Sequence, residues 1–274
     1  MKKILVPTDF SEQASNALKV AAHLAKKYHS EIYLLHMLEM PLDLIDPLHE
    51  NSEIPEAIFF MKLAHQKFEK VKAHPALEGI TVHEAVQNNR AFEGIIDSAH
   101  THDVDLIVMG SHGASGFKEI FVGSNTEKVV RTSDIPVLVI KNEHDGFEIN
   151  DIVFACDFSE EYKKTYADTI KFAQDVNAKI HLLYVNTPSN FKTNNEINNI
   201  MTPFVKSQPF NNYTFNIYND TNVEEGILNF TKTNDYDLIA MSTHGRSGLS
   251  HFFNGSISED LVNHANRPVI TFKI

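Results

Sequence analysis

The chain contains two copies of one unit, and that repeat restricts its fold more than any other feature. KKILVPTDFSEQA from Lys2 matches NDIVFACDFSEEY from Asn150, setting Asp9 opposite Asp157 and Ser11 opposite Ser159 at an offset of 148. EIYLLHM from Glu31 matches KIHLLYV from Lys179 at the same offset, whereas VDLIVMGSHG from Val104 matches YDLIAMSTHG from Tyr236 at an offset of 132. Sixteen residues are therefore missing from the second copy. The loss falls between the second and third strands, because His36 to Thr81 spans 45 residues and Tyr184 to Tyr213 only 29. The first copy is expected to keep a longer, helix-bearing connection there. The domains read as 1–144 and 145–274, with the seam in the polar run 142–147 containing Gly146, and a linker this short predicts halves that pack together.

Within each copy, apolar runs alternate with helical spacing. Residues 4–6 form a short Ile/Leu/Val run that meets the turn residues Pro7, Thr8 and Asp9, after which Ser11 serves as an N-cap. Ala14, Leu18, Ala21, Ala22, Ala25 and Tyr28 then recur on one helical stripe. Further strands are expected at 32–37, 81–86, 105–109 and 135–140, with helices between them, one of which carries Ile58, Met61, Leu63, Ala64, Phe68 and Val71. The second copy repeats the order, with strands near 152–155, 180–185, 213–218, 238–241 and 268–272. Near-continuous Val/Ile/Leu strands separated by helices predict a parallel sheet covered on both faces. The fold class is α/β: two repeated, doubly wound, five-stranded parallel-sheet domains. Ligands in such sheets sit beyond the carboxyl ends of the strands where the strand order reverses.

Glycine is concentrated at one such end. Of 11 glycines, Gly110, Gly113, Gly116 and Gly123 lie in MGSHGASGFKEIFVGSN at 109–125, and Gly245, Gly248 and Gly255 in its copy at 241–257. Glycines after a strand expose backbone N–H groups, and Gly123-Ser124-Asn125 opens a helix whose first amides are unpaired and electropositive, so the stretch is suited to phosphate. Asp9, arriving at the same edge, supplies an acceptor for a ribose or base donor. The competing reading is that these glycines serve only tight turns and helix–sheet packing. No G-x-x-x-x-G-K-[ST] loop is present and no G-x-G-x-x-G follows the first strand, which weakens P-loop and dinucleotide readings.

The G-x2-G-x9-G-[ST] spacing, the opening VPTDFS and the closing IPVLVIK and RPVITFK resemble the universal stress protein family in its tandem form, over essentially the whole chain. The resemblance implies a Rossmann-like fold of the adenine nucleotide alpha hydrolase-like kind, dimer-like pairing of the two domains and, in the nucleotide-binding branch, ATP. By position it assigns Pro7, Thr8 and Asp9 to the ribose and adenine end, and Met37 to the adenine pocket. Met109, Gly110, His112 and Gly113 would line the phosphates, and Gly123, Ser124 and Asn125 would close over them. The counterparts in the second copy are Ala155, Asp157, Val185, Met241, His244, Gly245, Gly255, Ser256 and Ile257. Ser242 stands where the first motif glycine should be and Ala155 where the proline should be. A Cβ at 242 is expected to narrow the phosphate approach or forbid positive φ, which makes the first half the preferred site.

Composition bounds the remaining options. With 42% hydrophobic and 22% charged residues the chain has the make-up of a soluble globular protein. A formal charge of -12 argues against nucleic acid or an anionic membrane as a partner. No apolar run approaches a membrane span and the opening lacks a signal-peptide core, which makes the cytoplasm the expected compartment. The single cysteine, Cys156, reads as a small buried residue before a redox thiol. His100-Thr101-His102-Asp103 reads as a solvated helix end before a metal site, and His112 and His244 are either phosphate donors or ordinary turn residues. Tyr184, Phe191, Phe204, Phe210, Tyr213, Phe215 and Tyr218 are expected to pack across the domain seam, with an apolar-ligand pocket as the competing use. The asparagine-rich run 194–199 is expected to be a disordered loop.

No acid–base pair, nucleophile–base pair or metal set emerges, so a metabolic enzyme is not expected. The sequence points to an adenine-nucleotide module of stress response or signalling that binds ATP, with Mg²⁺ admitted beside it and slow hydrolysis left open. The alternative is a nucleotide-free interaction or apolar-ligand scaffold on the same fold. The halves pair within the chain, and a further homodimer is allowed.

Overall fold

A computed structural model describes residues 1–38, 54–87, 91–111, 123–144, 146–243 and 261–274. The first half runs β1 (Lys3–Pro7), α1 (Glu12–Tyr28), β2 (Glu31–Met37), α2 (Ile54–Lys72), β3 (Val82–Gln87), α3 (Ala91–Thr101), β4 (Leu106–Gly110), α4 (Ser124–Thr132) and β5 (Val137–Ile140). The second runs β6 (Asp151–Ala155), α5 (Lys163–Val176), β7 (Lys179–Asn186), α6 (Asn194–Lys206), β8 (Tyr213–Asn219), α7 (Val223–Thr233), β9 (Leu238–Thr243) and β10 (Val269–Lys273). A helical stretch at 261–264 precedes β10.

All ten strands join one sheet in the order β3-β2-β1-β4-β5-β10-β9-β6-β7-β8. Within each half every pairing is parallel, and the helices between strands follow from that, since a parallel neighbour needs a long crossover. At the centre β5 and β10 pair antiparallel, with Val139 opposite Val269 and Val137 opposite Thr271. Each half alone would present an unpaired edge there, and joining the two satisfies both. The central strands are buried along their length, as Val/Ile/Leu runs covered on both faces should be.

Two lysines at matched positions reach across this seam. Lys273 Nζ donates to the carbonyl of Thr132, the last residue of α4, at 2.9 Å, and Lys141 Nζ donates to the carbonyl of Asn263 in the stretch 261–264. Each places a cation at the carbonyl end of the other half's last helical segment, where the helix dipole favours it. A second repeated device starts each half. Asp105 Oδ2 accepts the N–H groups of Lys2 and Lys3, as Asp237 Oδ2 accepts those of Asn150 and Asp151.

Several sequence expectations need correction. The run at 194–199 is the start of α6: Thr193 caps it, and Glu196 closes a capping box by accepting the Thr193 N–H at 2.8 Å. The second half therefore keeps a helix between its second and third strands, as the first half does. The aromatic residues do not pack across the seam, because β8 is the outer edge of the sheet and the seam lies at β5 and β10. Tyr184, Phe204 and Phe210 are buried inside the second half, whereas Phe191 and Phe215 are exposed. Strand register also refines the deletion: Ile32 faces Val82 while Ile180 faces Tyr213, so seventeen residues are missing ahead of the third strand and one returns before the next helix.

Candidate functional site

The strand order reverses between β1 and β4, and the residues after these two strands are held by local bonds the sequence encodes. Past β1 the Thr8 N–H still donates to Leu35 O at 2.7 Å. The chain then turns sharply. Thr8 Oγ1 accepts the Phe10 N–H, Asp9 Oδ1 accepts the Ser11 N–H, both at 3.0 Å, and Ser11 Oγ accepts the Ala14 N–H at 3.2 Å as the cap of α1. Phe10 sits at φ 66°, in the left-handed region that bulky residues avoid. The second half repeats the turn, with Asp157 Oδ1 accepting the Ser159 N–H at 2.9 Å and Phe158 at φ 62°. Asp9 thus has a structural duty in this turn.

After β4 the chain returns at Gly123, whose N–H donates to Ser111 O at 2.7 Å, and Thr126 Oγ1 donates to Gly110 O at 2.9 Å. These contacts seat the start of α4 beside the end of β4. Gly123, the N-cap, has no side chain to cover the first turn, so the amides of Ser124, Asn125 and Thr126 have no helical acceptor. Such a terminus favours an anion.

Between these two ends lies a cleft of about 370 Å³. Pro7, Thr8, Asp9, Met37, Met109, Gly110, Gly123, Ser124 and Asn125, all named from sequence, line it together. His112 and Gly113 lie outside the described residues. The carboxylate and apolar groups occupy the β1–β2 side and the open amides the α4 side, the division a nucleoside phosphate requires.

Sequence reasoning missed two features of this cleft. His36 lines it, and its Nδ1 lies 2.8 Å from Thr8 O; a carbonyl only accepts, so Nδ1 carries a proton and donates it to this bond. Its ring packs on Phe10 at 4.6 Å, with Phe68 of α2 behind Phe10 at 5.4 Å. The second feature is Gly94: a Cβ there would stand 2.2 Å from Met37 Cε, so glycine lets α3 pack on the Met37 thioether and a larger residue would push that side chain aside. Gly226 does the same for Val185 at 2.3 Å. The repeated EGI at 93–95 and 225–227 was the available signal.

The second half arranges the same positions differently. Asp157 and Val185 line a space of only about 10 Å³, together with Ala155, Cys156 and Tyr184, as far as the described residues define it. Its other proposed contributors, His244, Gly245, Gly255, Ser256 and Ile257, lie outside the described residues, and Met241 is buried in the sheet. Where the first cleft has Ala14 and Ala91, the second half has the buried ring of Tyr162 and the larger Val223. Tyr184 replaces His36, and Phe158 packs on Phe204 at 5.3 Å, completing the ring cluster. Burial pushes the Cys156 thiol well above its ordinary range, so this sulfur stays protonated.

The expected effect of Ser242 also needs correction. Its hydroxyl is buried 2.6 Å from Thr165 Oγ1 of α5, directed at that helix. At Gly110 a Cβ would lie 2.8 Å from the Gln13 carbonyl oxygen of α1, and Gly110 does not use positive φ. The glycine-to-serine difference is therefore one of helix–sheet packing, the competing reading of these glycines. The histidine cluster of α3 diverges: His100 Nε2 meets Asp134 at 3.0 Å while the His102 ring stacks on Tyr33 at 4.6 Å.

A doubly wound α/β protein with a cleft at its switch point and a helix N-terminus aimed into it belongs to the Rossmann-like nucleotide-binding class of folds. The profile of the Universal stress protein family matches residues 1–141 and 217–273, a segment in each half, and the chain belongs to that family. Universal stress protein MJ0577 of Methanocaldococcus jannaschii is 35% identical over 156 residues, covering 52% of this chain and 96% of its own length. Universal stress protein Slr1230 of Synechocystis is 25% identical over 295 residues and is matched along the whole of both chains. A crystal structure of a universal stress protein from Archaeoglobus fulgidus has the same fold, with a TM-score of 0.65 at 23% identity over 99% of this chain and 98% of that one. Among the described residues no helix is long and apolar enough to cross a membrane.

Proposed function

We propose that the cleft of the first half binds an adenine nucleotide, ATP with or without Mg²⁺, and that the chain works as a nucleotide-responsive module of stress response or signalling in the cytoplasm. The observation that carries this reading is the pairing of open α4 amides with the Asp9 edge across a cleft of about 370 Å³. The amides of Ser124, Asn125 and Thr126 would take phosphate oxygens, Asp9 a ribose hydroxyl, and Met37, Ile95 and Ala91 the base. The bonds donated to Gly110 O and Ser111 O hold the start of α4 in place before any ligand arrives.

Catalysis is not part of the proposal beyond slow hydrolysis, because no nucleophile–base pair is in view among the described residues around the cleft. The alternative use of the fold, an apolar-ligand pocket in the second half, has less support: Phe158, Tyr184 and Phe204 pack against one another there. Calorimetry with ATP and ADP tests the reading. Binding that an Asp9→Ala change weakens supports it, and no heat up to millimolar nucleotide overturns it.

A further inference from the structure

The two halves differ in charge at one set of matched positions, none of which lines the nucleotide cleft. In the first half Asp97 and His100 of α3, and Asp134 and Ile135 ahead of β5, stand where the second half has Asn229 and Lys232 of α7, and Asn266 and Arg267 ahead of β10. Two carboxylates have become amides, a histidine a lysine, and an isoleucine an arginine. These positions are neighbours in space: in the first half His100 meets Asp134 at 3.0 Å. In the second half the four residues line one groove of about 530 Å³ with His144 and His264, and among the described residues no carboxylate lines it.

A chain of net charge -12 that places Lys232 and Arg267 in a groove with no carboxylate among its described lining residues has built a local positive field against its general one. Burial first, and the Arg267 guanidinium second, hold the His144 imidazole below its ordinary range. The amide of Asn266 adds neutral donors, and the Asn229 amide has one N–H beyond the one it gives Asp220. Three carboxylates do approach from outside: Glu224 on His264 Nδ1 at 2.6 Å, the exposed Asp235 on Arg267 Nη2 at 2.5 Å, and Asp220 on Asn229 Nδ2 at 2.9 Å. Each engages one nitrogen of its partner, and none of the three engages Lys232.

We propose that this seam groove is a second ligand site, for a small phosphate-bearing anion, formed by the second half together with His144 from the end of the first. A forked guanidinium with an ammonium and amide donors is the donor set that recognises phosphoryl oxygens. A groove of this volume accepts a small molecule, and the acidic surface beyond it opposes a long polyanion such as RNA.

The test uses the full-length chain with inorganic pyrophosphate as the probe, followed by calorimetry and by NMR of the histidine ring signals. Pyrophosphate is expected to shift the His144 and His264 rings. The triple change Lys232→His, Asn266→Asp and Arg267→Ile, which restores the first-half residues at mostly exposed positions, is expected to weaken that binding at least about tenfold. Binding that leaves both rings unmoved, including binding confined to the first-half cleft, overturns the proposal. So does a folded triple variant that binds as tightly as the parent, or a single-stranded oligonucleotide that displaces pyrophosphate from the groove at lower concentration.

Discussion

The first half keeps a cleft where the second half packs side chains, although both halves are built on one plan. Both turn after the first strand through an Asp bond and a left-handed Phe, Phe10 and Phe158. Both let a helix approach the second strand through a glycine, Gly94 and Gly226. The divergence is in bulk: Ala14 against Tyr162, Ala91 against Val223, and His36 against Tyr184. A duplicated fold can therefore lose room at this edge, as far as the described residues define it, while keeping the Asp turn, the left-handed Phe and the glycine under the third helix. The backbone devices also hold the fold together, whereas space can be filled at a gain in buried apolar area.

The largest effect should come from breaking the second half's packing. Phe204, buried against Phe158 and Tyr166, should cost about 3–5 kcal/mol when changed to Ala, read by urea denaturation. A loss under about 1 kcal/mol would mean that the cluster is loosely packed and that the two halves differ little in how this edge is filled.

Next is the glycine-to-serine pair. Gly110→Ser should cost about 1–3 kcal/mol by pressing on the Gln13 carbonyl. It should also weaken ATP binding, because α1 carries the Asp9 turn at its start. Ser242→Gly, which removes a hydroxyl bonded to Thr165, should cost about 1 kcal/mol and leave ATP binding unchanged. A Gly110→Ser protein of normal stability that fails to bind would return the glycine to a direct role in ligand approach.

Asp9→Ala and Asp157→Ala sharpen the comparison further. Each loses the same turn bond, and both should destabilise by about 1 kcal/mol. Only Asp9→Ala should weaken ATP binding, by about tenfold or more. Equal effects on binding would show that Asp9 acts through the turn alone.

The smallest effect concerns the seam. Burial lowers the Lys141 ammonium to about 8, below the ~10.4 of a lysine in an unfolded chain. Between those values the unfolded chain holds a proton that the folded one has released, so this residue makes stability rise with pH across that window. Lys141→Met should flatten the rise in a series of denaturation curves from pH 7 to 10. An unchanged slope would contradict the burial argument.

Much of this was legible in the sequence, for physical reasons that differ by residue. The alternation of strands and helices followed from the repeat and the apolar runs, and the nine first-half cleft residues from the motif spacing together with the family resemblance it carries, because these report backbone geometry. The α6 helix was misread from its asparagines although Thr193-x-x-Glu196 spells a capping box, a case where capping chemistry outweighs composition. The aromatic residues were assigned to the wrong boundary because sequence does not state which strand lies at the sheet's edge. The direction of the missing Cβ at Gly110 was invisible too. Glycine permits both close ligand approach and close helix approach, and only the position of Gln13 separates them.

The central claim is that a nucleotide site survives in the first half and is filled in the second. The stoichiometry of ATP binding to the full-length chain, by calorimetry or equilibrium dialysis, tests it most directly. Close to one nucleotide per chain is expected, lost on Asp9→Ala and retained on Asp157→Ala. Two nucleotides per chain, or one that Asp157→Ala removes, would contradict it.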